Sequence, residues 1–172
     1  MNEVLKAMKS RRSCRTFKPD MVPADVLDQI LEAGTYAATG MGKQSPIIVA
    51  VTDQETRNKL SAMNAAVMGA KADPFYGGPV VLIVLADKQI PTYKYDGALV
   101  MGNLMLAAES LGVNSIWIHR AKEEFESEEG KAMLKAWGIE GDYEGIGHCV
   151  LGYTAKELPA AKPRKENYIY KI

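Results

Sequence analysis

Apolar residues recur at two spacings along the chain, one helical and one extended, and the switches between them outline its elements. Val4, Leu5 and Met8 repeat at helical spacing and predict a short helix over residues 2–9. Ser10 to Val22 mixes charges with Phe17 and Pro19 and predicts a loop or irregular strand. A stronger helix follows, with Pro23 near its first turn and Val26, Leu27, Ile30, Leu31 and Ala38 on one face. Gly40 and Gly42, either side of Met41, end it. Ile47 to Thr52 is a β-branched run and predicts a buried strand. Residues 54–71 return to helical spacing, with Leu60, Met63, Ala66, Val67 and Ala70 on one face. Pro79 to Ala86 is apolar on both faces, the pattern of a central strand.

From Gly97 to Ala108 the only strongly polar side chain is Asn103, and Gly112 is placed as a C-terminal stop for a helix over residues 96–111. The apolar run is too short to span a bilayer, which needs about 20 residues. A helix apolar all round is buried all round. In a chain of 172 residues, expected to form one domain, that predicts cover from a second subunit. Ser115 to Ile118 reads as a strand. Residues 127–137 read as an amphipathic helix capped by Ser127, with Glu128 and Glu129 in its first turn and Gly138 at its end. Gly147 to Leu151 is the last core strand. Beyond Gly152 come Pro159, Pro163 and a basic stretch, then Tyr168 to Ile172, which alternates like a strand but has no neighbour to pair with. Residues 156–172 are therefore expected to form an extended arm that packs on another subunit's sheet.

Charge narrows the function. Twenty-one basic and 21 acidic residues cancel, which removes net charge as an argument for nucleic acid or a membrane as partner. Both ends are nevertheless basic, and residues 121–144 carry eight acids against three lysines, read as a solvated face. The two cysteines, Cys14 and Cys149, make no disulfide framework, and with His119 and His148 they lack metal-site spacing, so no metal is expected. The start of the chain has no apolar signal-peptide core, which predicts a cytoplasmic protein. Gly40-Met41-Gly42-Lys43 resembles the end of a phosphate loop, but Ala37 stands where its first glycine belongs. Gly145-Ile146-Gly147 starts a dinucleotide fingerprint and lacks the third glycine.

Arg11-Arg12-Ser13-Cys14-Arg15 is the constellation that remains. Guanidinium forks match phosphate oxygens, and Ser13 adds a hydroxyl and a backbone N–H. The same run also reads as a solvated helix end that complements its dipole. Alternation turns Cys14 inward, to the core.

The chain resembles the nitroreductase family of flavin enzymes along nearly its whole length. The resemblance rests on five features in order: Arg11-Arg12-Ser13-Cys14-Arg15 after a first helix; Ala38 to Pro46, with Met41 and Gln44; the strand from Pro79; the helix pattern Asp96…Asn103-Leu104…Ala107-Ala108-Glu109-Ser110-Leu111-Gly112; and Gly152-Tyr153 before Lys162-Pro163-Arg164. It implies an α+β fold with a mostly antiparallel sheet flanked by helices, and a homodimer that exchanges its C-terminal segment and holds FMN at the subunit interface. Arg11, Arg12 and Ser13 would bind the FMN phosphate, helped by Lys162 or Arg164. Arg15 would reach the ribityl chain and pyrimidine edge, where positive charge favours the reduced flavin. Thr39, Gly40, Met41 and Gln44 would contact the flavin from the partner subunit. Asn64 is a candidate for the ring edge, or else a helix-surface residue. Ile118 and His119 fall where the family lays backbone against flavin N5. His119 is thus a candidate proton donor, or a plain rim histidine. The implied activity is hydride transfer from NAD(P)H to the flavin and on to a flat small-molecule acceptor, a nitroaromatic or quinone, with ping-pong kinetics. The alternative is a flavin-binding storage or sensor protein. Gln44-Ser45-Pro46 departs from the family's frequent Gln-Pro-Trp, and the chain lacks the long insertion that often covers the pocket.

Overall fold

The computed structural model describes residues 1–172 as α1 (Glu3–Ser10), α2 (Ala24–Thr35), β1 (Pro46–Val51), α3 (Gln54–Met68), β2 (Val80–Asp87), α4 (Tyr93–Ser110), β3 (Asn114–Ile118), α5 (Ala121–Glu126), α6 (Glu128–Ala136) and β4 (Tyr143–Gly152), with a 3₁₀ turn at Gly40–Gly42. The four strands form one antiparallel sheet in the order β1-β2-β4-β3. The fold is the expected α+β class.

The central strand explains the layering. Every residue from Val80 to Ala86 is fully buried, so both faces of β2 are covered. Alternation sends Val81, Ile83 and Leu85 to a core with Leu60, Phe75, Ile116, Phe125 and Met133. Val80, Leu82 and Val84 go to a second core with Leu27, Ile30, Met101, Leu104 and Ala108. α3, α5 and α6 therefore cover one face, and α2 and α4 the other. α4 approaches closely because Gly97 has no side chain: a Cβ there would lie 2.5 Å from Ile146 Cγ1. Its outward side leaves Tyr95 and Leu99 75% and 51% exposed, so one chain alone does not bury this helix.

Two expectations need correction. The buried side of α3 is Arg57, Leu60, Ser61, Asn64 and Ala65, with Val67 exposed. Apolar spacing pointed to the wrong face because the true one carries polar groups that are hydrogen-bonded. Residues 121–144 are not a solvated face throughout: Glu124 and Glu144 are buried, and Ala121 to Glu126 form α5, a helix too short to show a period. Residues 156–172 form no strand within the chain; Tyr168, Ile169 and Tyr170 are exposed.

The sheet's two edges differ. At β3, Ser13 bridges Ser115 in parallel and the Cys14 N–H donates to the Ser115 carbonyl at 3.0 Å. β1 pairs with β2 alone and leaves its outer edge without a strand. No helix is long and apolar enough to cross a membrane.

Candidate functional site

α1 ends at Ser10 because Arg11 turns to extended geometry, and the chain then runs beside β3. That extended path buries Cys14 completely and turns Ser13 and Arg15 outward. Arg11, Arg12, Ser13 and Arg15 come to line a cleft of about 680 Å³ whose other wall is the arm, with Lys162 and Arg164. Sequence-distant basic residues thus meet in one place.

Arg12 divides its guanidinium between two tasks. Its Nη1 donates to the carbonyls of Lys9, Ser10 and Arg11 at 2.7, 2.9 and 2.7 Å, capping the end of α1. Its Nε is buried without a partner, and so is Nη1 of Arg11. A buried donor left unpaired costs about 1–3 kcal/mol, and more when it is charged. Arg11 also reaches toward β4: burial pushes the Cys149 thiol up to about 12, and the charge of Arg11 opposes that rise. No carboxylate lies within 4.0 Å of Lys9, Arg11, Arg12, Arg15, Lys162 or Arg164. The cleft is a concentration of unneutralised positive charge with two donors lacking acceptors, which is the chemistry of an anion site.

Thr39, Gly40, Met41 and Gln44 lie on a different part of the molecule. Thr39 and Gln44 line a second, more apolar cleft of about 460 Å³ between α2 and β1, with Leu31, Gly34 and Ile48. Met41 and Gln44 both adopt left-handed backbone, at φ 54° and 50°, and Met41 is 81% exposed. Such conformations cost about 1–3 kcal/mol each and persist where surroundings impose them. Here the surroundings are Asp96. Its buried carboxylate accepts from the Gly40 N–H at 2.9 Å, from Ser45 Oγ at 2.7 Å and from Thr92 Oγ1 at 3.0 Å. Burial alone would raise the Asp96 pKa, yet these three donors outweigh it and hold the carboxyl below its ordinary value. The Gln44 N–H closes the loop onto Thr39 Oγ1 at 3.1 Å.

The two clefts share no lining residue and sit at opposite edges of the sheet. Three strand spacings separate those edges, roughly 14 Å, and helices cover both faces between them. One chain therefore does not bring its arginines to its own Thr39–Gln44 loop.

The remaining candidates lie in neither cleft. Ile118 is buried at the end of β3, in register with His148. His119 is exposed. Asn64 is fully buried rather than on a helix surface, and its amide serves the turn after β3. Its Nδ2 donates to the His119 carbonyl at 2.8 Å and to Glu124, while its Oδ1 accepts from Arg120 Nε at 2.9 Å. Glu124 in turn meets His148 Nε2 at 3.0 Å. This row, His148–Glu124–Asn64–Arg120, holds Arg120 in left-handed geometry at φ 76°. Sequence reasoning missed Glu124, His148 and Asp96 as structural keys. Asp96 had a signal, as the one acid opening an apolar helix.

The sequence matches the model of the nitroreductase family over residues 8–74. An FMN reductase (NAD(P)H) of Bacillus subtilis is 27% identical over 139 residues, 67% of this chain and 53% of that protein. Among solved structures, a nitroreductase of Desulfitobacterium hafniense with bound FMN superposes with a TM-score of 0.89 at 27% identity over the whole of both chains. A nitroreductase of Bacteroides fragilis with bound FMN superposes with a TM-score of 0.92, again over the whole of both chains, at 30% identity. Fold and sequence agree from end to end, and this chain belongs to the nitroreductase family.

Proposed function

We propose that the chain is an FMN-dependent NAD(P)H oxidoreductase that holds the cofactor's phosphate in the arginine cleft. The observation that carries this is the pair of orphaned buried donors, Arg11 Nη1 and Arg12 Nε, in a wall without a neutralising carboxylate. Relatives that bind FMN or are named for NAD(P)H support the same reading. Arg11 and Ser13 hold the phosphate, with the Nε of Arg12 and with Lys162 and Arg164 from the arm. Arg15, exposed at the cleft, offers its guanidinium to the ribityl chain and pyrimidine edge. Asn64, being buried, acts through the Ile118–Arg120 turn rather than by direct contact. That turn presents Ile118 and His119 backbone toward the ring.

The opposite-edge arrangement supports a homodimer in which one protomer's Arg11–Arg15 cleft faces its partner's Thr39, Gly40, Met41 and Gln44. The open edge of β1 and the unpaired, β-prone Tyr168–Ile172 support exchange of the arm between protomers. FMN, when bound, supplies the redox chemistry, accepting hydride from NAD(P)H and reducing a flat acceptor such as a nitroaromatic or quinone. One pocket serving donor and acceptor in turn gives ping-pong kinetics. The protein's part is to bind, orient and exclude water.

The test is a visible absorption spectrum of the purified protein, taken before and after anaerobic NADH or NADPH. A flavin spectrum that bleaches is the expected result. A colourless protein that takes up no added FMN overturns the assignment. A flavoprotein that does not bleach with either nucleotide belongs instead with flavin storage or sensing.

A further inference from the structure

A carboxylate and an imidazole are buried beneath the turn that follows β3, and flavin binding makes direct use of neither. No part of the Glu124 or His148 side chain is exposed, and Asn64 beside them is fully buried. The His148 ring packs on Phe75 and Phe125, with centroids 5.2 and 6.3 Å away. Away from water, these polar groups are satisfied only by one another.

Their hydrogen bonds admit one consistent assignment of protons. The Glu124 carboxylate offers only acceptors: Oε1 takes an Asn64 N–H, and Oε2 meets His148 Nε2 at 3.0 Å. His148 Nδ1 is buried and has no partner. A buried N–H is orphaned more rarely than an acceptor, so the proton sits on Nε2 and is donated to Glu124. Asn64 Nδ2 also donates to the His119 carbonyl at 2.8 Å, and its Oδ1 accepts from Arg120 Nε at 2.9 Å. With acceptors on one side and a cation on the other, that amide cannot flip.

The direction of the amide is felt at the surface. In a trans peptide the carbonyl and the following N–H point opposite ways. The inward His119 carbonyl therefore aims the Arg120 N–H outward, and neither that N–H nor the His119 N–H donates within the chain. Arg120 itself is held at φ 76°, a region that residues with a Cβ rarely adopt. Glu124 is fixed in turn. A Cβ at Gly145 would lie 2.2 Å from the Ala121 carbonyl oxygen, and one at Gly130 2.0 Å from that of Glu124, so β4 and α6 clamp α5 from two sides.

We propose that Glu124, held by His148, is a positioning residue for flavin reduction: through Asn64 it fixes the His119–Arg120 peptide against the flavin ring. This rests on the reading of that turn as lying against FMN. Misplacing a reacting group by about 1 Å can cost about 10²-fold in rate, so the loss falls on the reduction step. The phosphate is held by other residues, and FMN affinity is therefore spared.

The experiment compares the native protein with three variants. Glu124→Gln keeps the volume but adds an NH₂ where Asn64 and His148 already present N–H groups. Donor then opposes donor unless His148 buries an unpaired N–H. His148→Leu removes the donor to Glu124, and His148→Gln restores an N–H in its place. With FMN bound, the limiting rate of anaerobic bleaching at saturating NAD(P)H is expected to fall about 10- to 100-fold in Glu124→Gln and His148→Leu, with FMN affinity changed less than about threefold. His148→Gln is expected to recover most of that rate. Without FMN, hydrogen exchange reads the turn itself. The residue 124 N–H, which donates to the Arg120 carbonyl at 3.1 Å, should exchange about tenfold faster in the first two variants while the β2 amides are unchanged. Variants that carry FMN and bleach at the native rate overturn the inference and leave the FMN assignment standing. So do a His148→Gln as slow as His148→Leu, faster exchange throughout the sheet, or a Glu124→Gln that does not fold, each of which makes the pair a support of the core alone. A native protein that takes up no FMN overturns both readings.

Discussion

Replacing Asp96 by Asn exchanges one oxygen for a nitrogen and removes a charge where three donors converge. In the native protein the carboxylate accepts from Gly40 N–H, Ser45 Oγ and Thr92 Oγ1 at 2.9, 2.7 and 3.0 Å. A hydrogen bond to a charged group contributes about 1.5–3 kcal/mol, against about 0.5–1.5 for a neutral one. Losing the charge therefore weakens three bonds by about 1 kcal/mol each. The hydroxyls can rotate to accept from the new amide, and the variant no longer buries a charge, so the net loss is about 1–3 kcal/mol. For a chain of this size that lowers Tm by about 2–12 °C. The pH dependence gives a second readout. The folded carboxyl sits below its ordinary value, so its contribution is fully present above the unfolded value near 3.9 and is lost as pH falls through the folded one. The gap between native and D96N stability is thus full at pH 7 and closes below about pH 4. The Met41 and Gln44 backbone, freed from its anchor, should be cleaved faster by protease around residues 39–45. Thermal and urea unfolding from pH 7 to pH 3 measure the first two effects. An unchanged Tm at pH 7, or a gap that widens in acid, refutes the role given to Asp96.

Other expectations follow from the same geometry. Arg11→Ala removes charge-assisted bonds of about 1.5–3 kcal/mol each, so FMN should bind more than tenfold more weakly while the cofactor-free Tm changes little; flavin content and melting curves check both. Asp73→Ala leaves buried Arg57 without the carboxylate that meets its Nη2 at 2.6 Å, at a cost of about 3 kcal/mol in urea unfolding. Cys149, fully buried with its thiol pushed up to about 12, should resist aromatic disulfide reagents at pH 8 until the protein is unfolded. On the proposed exchange of the arm, removal of residues 156–172 should turn a dimer into a monomer in light scattering and weaken FMN binding.

Sheet and helices were legible where burial was simple. β2 reads directly from seven consecutive apolar residues, and Ser127 caps α6 as its hydroxyl predicts, accepting from the Gly130 N–H at 3.0 Å. The arginine cleft was legible because Arg11 to Arg15 and Lys162 to Arg164 are each distinctive by charge. What stayed hidden was buried polarity. Arg57, Ser61 and Asn64 made the inner face of α3 look like its outer one, and Glu124 looked like any other acid in an acidic stretch. Pattern reading assigns polar residues to solvent. These are inside because each finds its partner in a distant segment: Asp73, Glu124, His148 or the His119 carbonyl. Such pairings depend on three-dimensional neighbours that no local spacing announces.

The separation of the Arg11–Arg15 and Thr39–Gln44 groups to opposite edges of the sheet has a genetic consequence once two chains share each site. A chain whose lesion at Arg11 abolishes its half of the site and another whose lesion in the Thr39–Gln44 loop abolishes the other half are each inactive alone, because every site in either homodimer lacks one half. When both are expressed together, random pairing makes half the dimers mixed. Each mixed dimer gathers both lesions into one site and leaves the other intact. Two loss-of-function alleles should therefore complement within a single gene, restoring at most about a quarter of wild-type sites. Two alleles with lesions on the same edge should restore none.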